Sequence, residues 1–276
     1  FVRREQAGAN LALAHALGDR MAGGEPETSP LPPAGPQPGR TFELDRTALT
    51  ERVLDRRARE LGVSPAALVL AALSRVLRSW FGPPAAWIMT PIAKRDDEAL
   101  QRVIGCCLDM RPIEASGSSL SQVAERVHAQ LLEAQGDSTL PLEALIERVR
   151  AVAPARAEDA TRFGMTYRII DDAPRPIDDS LATPVDVELD AARFGLCLHV
   201  ERRRSGLRVW IEASRAHFST SDLEALAGRF TAEVRGEAPE TGGPAMTTVA
   251  LQRSLDVADV SQAELDELAD LWRQLL

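Results

Sequence analysis

Up to Phe163 the apolar positions recur mostly at helical spacing, and beyond it they alternate as strands do. From Val2 to about Ala22, Leu11, Leu13, Ala14 and Leu17 share roughly one side of a helix. The run GGEPETSPLPPAGPQPG that follows is too rich in proline and glycine to pack regularly, and reads as a linker crossing a surface. RTFELD is then a short strand, with Asp45 placed to cap a helix in which Leu49, Val53, Leu54 and Leu61 recur; Gly62 ends it. At Ser64-Pro65 a hydroxyl acceptor and a proline without an N–H predict a helix start, and PAALVLAALSRVLRSWF is apolar on nearly every side, which predicts burial.

AAWIMTPI has the length and flanks of a buried strand, and RVIGCCLDMRPI reads as a second one, with the polar crossing AKRDDEALQ between them. SSLSQVAERVHAQLLEAQG is a capped amphipathic helix with Leu120, Val123, Val127 and Leu131 inward and Gly136 as its stop. A short helix opens at Pro141. FGMTYRII, RFGLCLHVE and LRVWIEAS are strands, the last two joined by the basic turn RRRSG as a hairpin, and HFSTSDLEALAGRFTAEV is a further helix. Gly242-Gly243-Pro244 marks a break, after which Ser261 and Glu264 stand at capping-box spacing ahead of a stripe of Leu265, Leu268, Leu271 and Leu275. Helices and strands interspersed over one core predict an α/β (α+β) sandwich, a mixed β-sheet covered by helices.

Charge and composition narrow the function classes. A formal charge of −9 and a pI near 5.1 give a nucleic-acid backbone or an anionic bilayer little electrostatic reason to bind. The three cysteines, Cys106 and Cys107 adjacent, form neither a disulfide framework nor a metal spacing, so no metal is expected. Without a signal region or a spanning apolar run, a cytoplasmic setting is expected. The four histidines are isolated: His128 falls at the edge of a buried helix face, and His199 and His217 read as structural.

The order of the motifs resembles the C-terminal half of a condensation domain of nonribosomal peptide synthetases, in the chloramphenicol-acetyltransferase-like superfamily. TPIAKR resembles the family's strand-end motif that closes on an arginine, which falls on Arg95. VIGCCLDMRPI is similar to the isoleucine-glycine segment, with Cys107 at the aromatic place and Asp109 at the asparagine place. DSTLPLEALIERV matches at Pro141 and Glu143, with Asp137 where the family has histidine, and TRFGMTY carries Gly164 where the family has glutamine.

The resemblance implies that the catalytic signature, two histidines followed after three residues by Asp-Gly, belongs to an N-terminal subdomain; no such run is present here, so no residue of this chain is assigned as catalytic. It further implies that the signature's aspartate pairs with Arg95. Asp96, Asp97 and Asp109 are substitutes within the chain. Arg95 and Asp109 are therefore candidates for a structural salt bridge or a tunnel wall. Arg202, Arg203 and Arg204 read most simply as a solvated hairpin turn, and alternatively as a contact for a carrier protein or for the phosphate of its 4'-phosphopantetheine arm.

The division expected is an N-terminal helix and linker over 1–40, a condensation-type C-terminal subdomain over 41–240, and a linker with an amphipathic helix over 241–276. An opening inside a helix without methionine points to truncation. The resemblance implies transfer of a carrier-bound acyl or peptidyl thioester to an amine once the N-terminal subdomain is supplied; this chain alone is expected to be inactive. The C-terminal helix either folds back or docks on a neighbouring synthetase subunit. Two other readings stand beside this one: a non-catalytic condensation-like module that recruits a carrier protein or tailoring enzyme, and a related acyltransferase using acyl-coenzyme A or a polyketide chain.

Overall fold

Helix starts follow the hydroxyls. Helix α1 spans Val2–Ala22, strand β1 Gln37–Glu43, helix α2 Glu51–Glu60 and helix α3 Pro65–Phe81. Thr50 caps α2 by accepting from the Val53 N–H, and Ser64 Oγ accepts from the Ala67 N–H at the head of α3. Gly62, at a φ of 67°, makes the reversal between α2 and α3 that a side chain would resist. Strands β2 (Trp87–Ala93) and β3 (Leu108–Glu114) follow, then helices α4 (Leu120–Gln135) and α5 (Leu142–Val152). Ser119 caps α4 through the Gln122 N–H, and Pro141 stands at the head of α5.

The remaining elements are β4 (Phe163–Ile169), the short β5 (Arg175–Ile177), β6 (Ser180–Ala182) and β7 (Ala191–Ala192), then β8 (Leu196–Arg203), β9 (Gly206–Ser214) and helix α6 (Thr220–Arg235). Helix α6 begins with a full capping box between Ser219 and Asp222. The computed structural model describes residues 2–23, 37–81, 87–94, 98, 102–105, 107–136, 140–156, 162–170, 175–177, 180–182 and 190–238. Arg95, Asp96, Asp97, Cys106, Asp137, the Gly242-Gly243-Pro244 break and the helix expected from Ser261 lie outside them.

Seven strands make one mixed sheet in the order β3-β2-β4-β8-β9-β1-β7, parallel at β2/β4 and β4/β8 and antiparallel elsewhere. Helices α3, α4 and α6 cover one face. There Leu68, Leu73, Val127 and Phe230 bury against Ile88, Leu198, Val200 and Ile211 in a continuous apolar core. On the opposite face, α1 and α5 cover only the β2 side, where Ala14, Met21, Leu145 and Val149 close over Trp87 and Met89. The mixed sheet covered by helices is the expected fold class. Among the described residues no single helix is long and apolar enough to cross a membrane.

Three local expectations give way. Asp45 does not cap α2: its carboxylate accepts from the backbone and hydroxyl of Thr47 in a tight turn, and Thr50, at the helix itself, takes the capping place. The strand expected from Arg102 begins at Leu108, and Ile104 stands fully in solvent. An apolar run without alternation does not fix where pairing starts; the partner does, and β2 ends at Ala93 opposite Leu108. Finally, β1 starts at Gln37, inside the Pro/Gly-rich stretch. Gly39 permits this, because a Cβ there would come within 2.6 Å of the Ala191 backbone on β7.

Candidate functional site

Strict alternation sorts three central strands between the two faces of the sheet. On β4, Phe163, Met165 and Tyr167 turn to the helices, and on β8 and β9 so do Leu196, Leu198, Val200, Val209 and Ile211. The residues between them line a cleft of about 460 Å³ on the other face. Register brings those residues into cross-strand rows: Gly164, Cys197 and Glu212 in one, Thr166, His199 and Trp210 in the next, and Arg168, Glu201 and Arg208 in the third. Met89, Met110 and Phe194 add an apolar side to the cleft.

Every charge in the charged row is paired, Arg208 with a carboxylate outside it. Glu201, buried on β8, accepts from Arg168 and from Arg203 Nε at 2.8 Å, so a carboxylate that burial alone would penalise keeps its charge partners. Arg208 donates from Nε and Nη2 to Glu43 at 3.1 and 3.0 Å and lies over the Trp210 ring, 4.7 Å from its centroid. The next row is neutral. His199 Nδ1 is 2.8 Å from Thr166 Oγ1, and the imidazole stacks on Trp210 with centroids 4.7 Å and planes 10° apart. Burial, reinforced by the positive charges of Arg168 and Arg193, pushes the His199 pKa down to about 4.

In the remaining row Cys197 is fully enclosed, and burial raises its thiol well above the ordinary range, which removes it as a nucleophile at neutral pH. A Cβ on Gly164 would come 2.8 Å from the Phe194 ring and 2.9 Å from Cys197 Sγ. The ring of Phe194 thus occupies the space that a side chain at position 164 would take.

Of the residues singled out by sequence, Arg95 lies outside the described residues, while Lys94 beside it donates its Nζ to the Ala134 carbonyl at 2.9 Å and to that of Gly136, closing the end of α4. Asp109 pairs with Ile92 in register, on the side of the sheet that the helices cover, whereas its neighbours Leu108 and Met110 line the cleft. Its Oδ2 accepts from Arg111 Nε at 2.7 Å and from the Leu140 N–H at 3.0 Å, both partners buried. That carboxylate ties the segment leading into α5 to the edge strand.

The basic hairpin is divided. Arg202 donates to Glu51 and Asp55 of α2, with Nε 2.7 Å from Glu51 Oε1, and Arg203 is bound to Glu201; Arg204 stands exposed at the turn. His128 receives the Ser64 N–H at 3.4 Å, and His217 Nδ1 is 3.0 Å from Ser214 Oγ, both local structural contacts. Sequence reading passed over His199, Thr166 and Trp210 as a group. The available signal was the period of two, which puts all three on the face away from the aliphatic residues.

A family model described as the condensation domain matches residues 19–236. The chain is 29% identical over 217 residues to malpinin synthetase of Mortierella alpina, and 25% identical over 183 residues to the isonitrile lipopeptide synthase of Mycobacterium tuberculosis. These matches cover 74% and 65% of this chain and span 3% and 7% of those relatives' lengths. Among solved structures, the X-domain from teicoplanin biosynthesis aligns with a TM-score of 0.63 at 20% identity, over 82% of this chain and 54% of that one. The first condensation domain of the calcium-dependent antibiotic synthetase aligns with a TM-score of 0.56 at 18% identity, over 87% and 53%.

Proposed function

The chain belongs to the condensation-domain family, and from that premise we propose that it supplies the C-terminal subdomain, over 41–240, of a condensation site in nonribosomal peptide assembly. Paired with an N-terminal subdomain that carries the two-histidine motif, it supports transfer of a carrier-bound acyl or peptidyl thioester to an amine, forming an amide. The observation that carries this reading is the family match over 19–236, taken with the cleft on the sheet face opposite α3, α4 and α6, beside the part that α1 and α5 cover.

The contribution of this half is position. A wall of fixed strands with one neutral polar row, one row of paired charges and an apolar side can hold two tethered chains in reacting distance, which is where most of the rate advantage of such a transfer lies. None of the groups on the described cleft wall has the makings of an activated nucleophile: Cys197 is held as a thiol and His199 is held neutral. The proton-handling group is therefore assigned to the partner subdomain. Carrier proteins present the substrates on 4'-phosphopantetheine, and Arg204, exposed at the β8–β9 turn, is the member of the basic hairpin we assign to the arm's phosphate or the carrier's acidic surface.

The test is a condensation assay of the native synthetase that contains this chain, with both carriers loaded. Amide product from carrier-bound donor, and none from free acyl-coenzyme A, is the expected result. Product from acyl-coenzyme A alone assigns the chain to the related acyltransferases. Stable binding of a carrier or tailoring enzyme with no product under any donor makes the chain a recruiting module and overturns the proposal.

A further inference from the structure

One polar atom in the cleft wall has no partner among the described residues. His199 Nε2 is closed off from water and has no hydrogen-bond partner among the described residues, although the ring's other nitrogen is held by Thr166 and its face by Trp210. Buried polar atoms are almost always partnered, and leaving one unpaired costs about 1–3 kcal/mol. The remaining described orphans lie on Asn10, in α1, or on arginine side chains, none of which lines the cleft. The ring is also immobilised on both sides: stacking sets its plane and the Thr166 contact sets its rotation. A fixed ring nitrogen on the cleft lining, without a partner among the described residues, is a place for a ligand group.

The charge around the ring decides which kind of group. Burial first, and the positive charges of Arg168 and Arg193 after it, hold the imidazole neutral. With its proton on Nδ1, given to Thr166 Oγ1, the neutral ring leaves the lone pair of Nε2 free to accept. A nitrogen that offers only a lone pair selects a ligand N–H over a ligand carbonyl. Arg168, half exposed on the next strand at 50%, has room to turn aside as a chain enters.

We propose that His199 is a substrate-binding residue of the cleft, its Nε2 accepting a hydrogen bond from the first amide N–H of the acyl chain carried into the site. This rests on the condensation reading above and adds to it a residue and a chemical preference: chains with a secondary amide near the carrier attachment are favoured over N-alkylated ones.

The experiment measures binding by calorimetry to the native synthetase containing this chain, using two unreactive probes, N-acetylglycyl pantetheine amide and its glycyl N-methyl counterpart. The native protein is expected to bind the N–H probe about tenfold more tightly, the size of one well-placed hydrogen bond. His199→Phe, which keeps the stack on Trp210 and loses the nitrogen, is expected to bind both probes alike, at the level of the N-methyl probe. Thr166→Val, which releases the tautomer, is expected to reduce the preference without abolishing binding, and it serves where the phenylalanine variant does not fold. Equal weakening of both probes by His199→Phe, or an unchanged tenfold preference, overturns the proposal. Absence of turnover with loaded carriers defeats the condensation reading but leaves probe discrimination as a separate result, so the two failures are told apart.

Discussion

The two faces of strands β4, β8 and β9 are built by alternate residues of the same strands, yet they differ in almost every property. Toward the helices stand Leu196, Leu198, Val200, Val209 and Ile211, all within the buried apolar core. Away from them stand Thr166, His199, Glu201, Arg208 and Trp210, whose contacts are hydrogen bonds, ion pairs and ring stacks. One face holds the fold together by area removed from water; the other is held in shape by directional contacts over a space it does not fill. A rigid back wall is what permits the front wall to stay open, since helices α3, α4 and α6 already satisfy the strands from behind.

Substitutions that strike the covered side should therefore cost stability first. The largest effect is expected at Asp109, whose single carboxylate serves a buried arginine and the backbone at Leu140. Asp109→Ala is expected to lower unfolding free energy by about 4 kcal/mol, the range for removing one side of a buried ion pair, with Asp109→Asn recovering part of it. Denaturant titration measures this. An effect under about 1 kcal/mol would show that the edge strand does not depend on that tie. Leu198→Ala, fully buried behind the cleft, is expected to cost about 3 kcal/mol by the same measurement, against under about 1 kcal/mol for the half-exposed Thr166→Val on the front.

The front wall should reveal itself through pH. His199 titrates near 4 in the folded protein, below the 6.5 of an unhindered imidazole. The unfolded chain therefore binds the proton more readily between those values, so stability falls as pH drops from 6.5 toward 4 and levels off below. Burial is the first cause, with Arg168 and Arg193 adding to it, while Glu201 and Glu212 on β8 and β9 are engaged by Arg168 and by the Arg193 N–H. Between pH 7.5 and 5 the His199 contribution is about 2 kcal/mol. The difference in unfolding free energy between the native protein and His199→Phe should change by that amount over the interval, and a constant difference would mean the ring is not held neutral.

Much of the back wall was legible in the sequence, and little of the front. Hydroxyl starts announced α3 and α4, and Gly136 the end of α4, because capping is settled within a few residues of chain. The β8–β9 hairpin was equally plain, with Gly206 at a φ of 112° beside its turn. What failed were decisions made by partners far away: β3 begins where β2 stops, and β1 begins where Gly39 can approach β7. The cleft failed for the same reason. His199 and Trp210 face each other across the hairpin, but Thr166 lies 33 residues before His199, and only the strand order makes it their neighbour.

The smallest effect tests how the open face is shaped. The sequence resemblance puts Gly164 where a glutamine is expected, and the ring of Phe194 lies 2.8 Å from where a Cβ would stand. Gly164→Ala is expected to cost about 1 kcal/mol, because the obstacle on one side is a half-buried ring able to give way, while Cys197 Sγ on the other is fixed in its strand. Phe194→Leu in the same protein should recover most of that loss, and the pair should then couple by at least about 0.5 kcal/mol in a double-mutant cycle. If the two effects simply add, Phe194 is not the compensation for the missing side chain. If they couple, this wall has exchanged a polar side chain for an aromatic ring reached from the β7–β8 turn, and the cleft's apolar side is a consequence of that exchange.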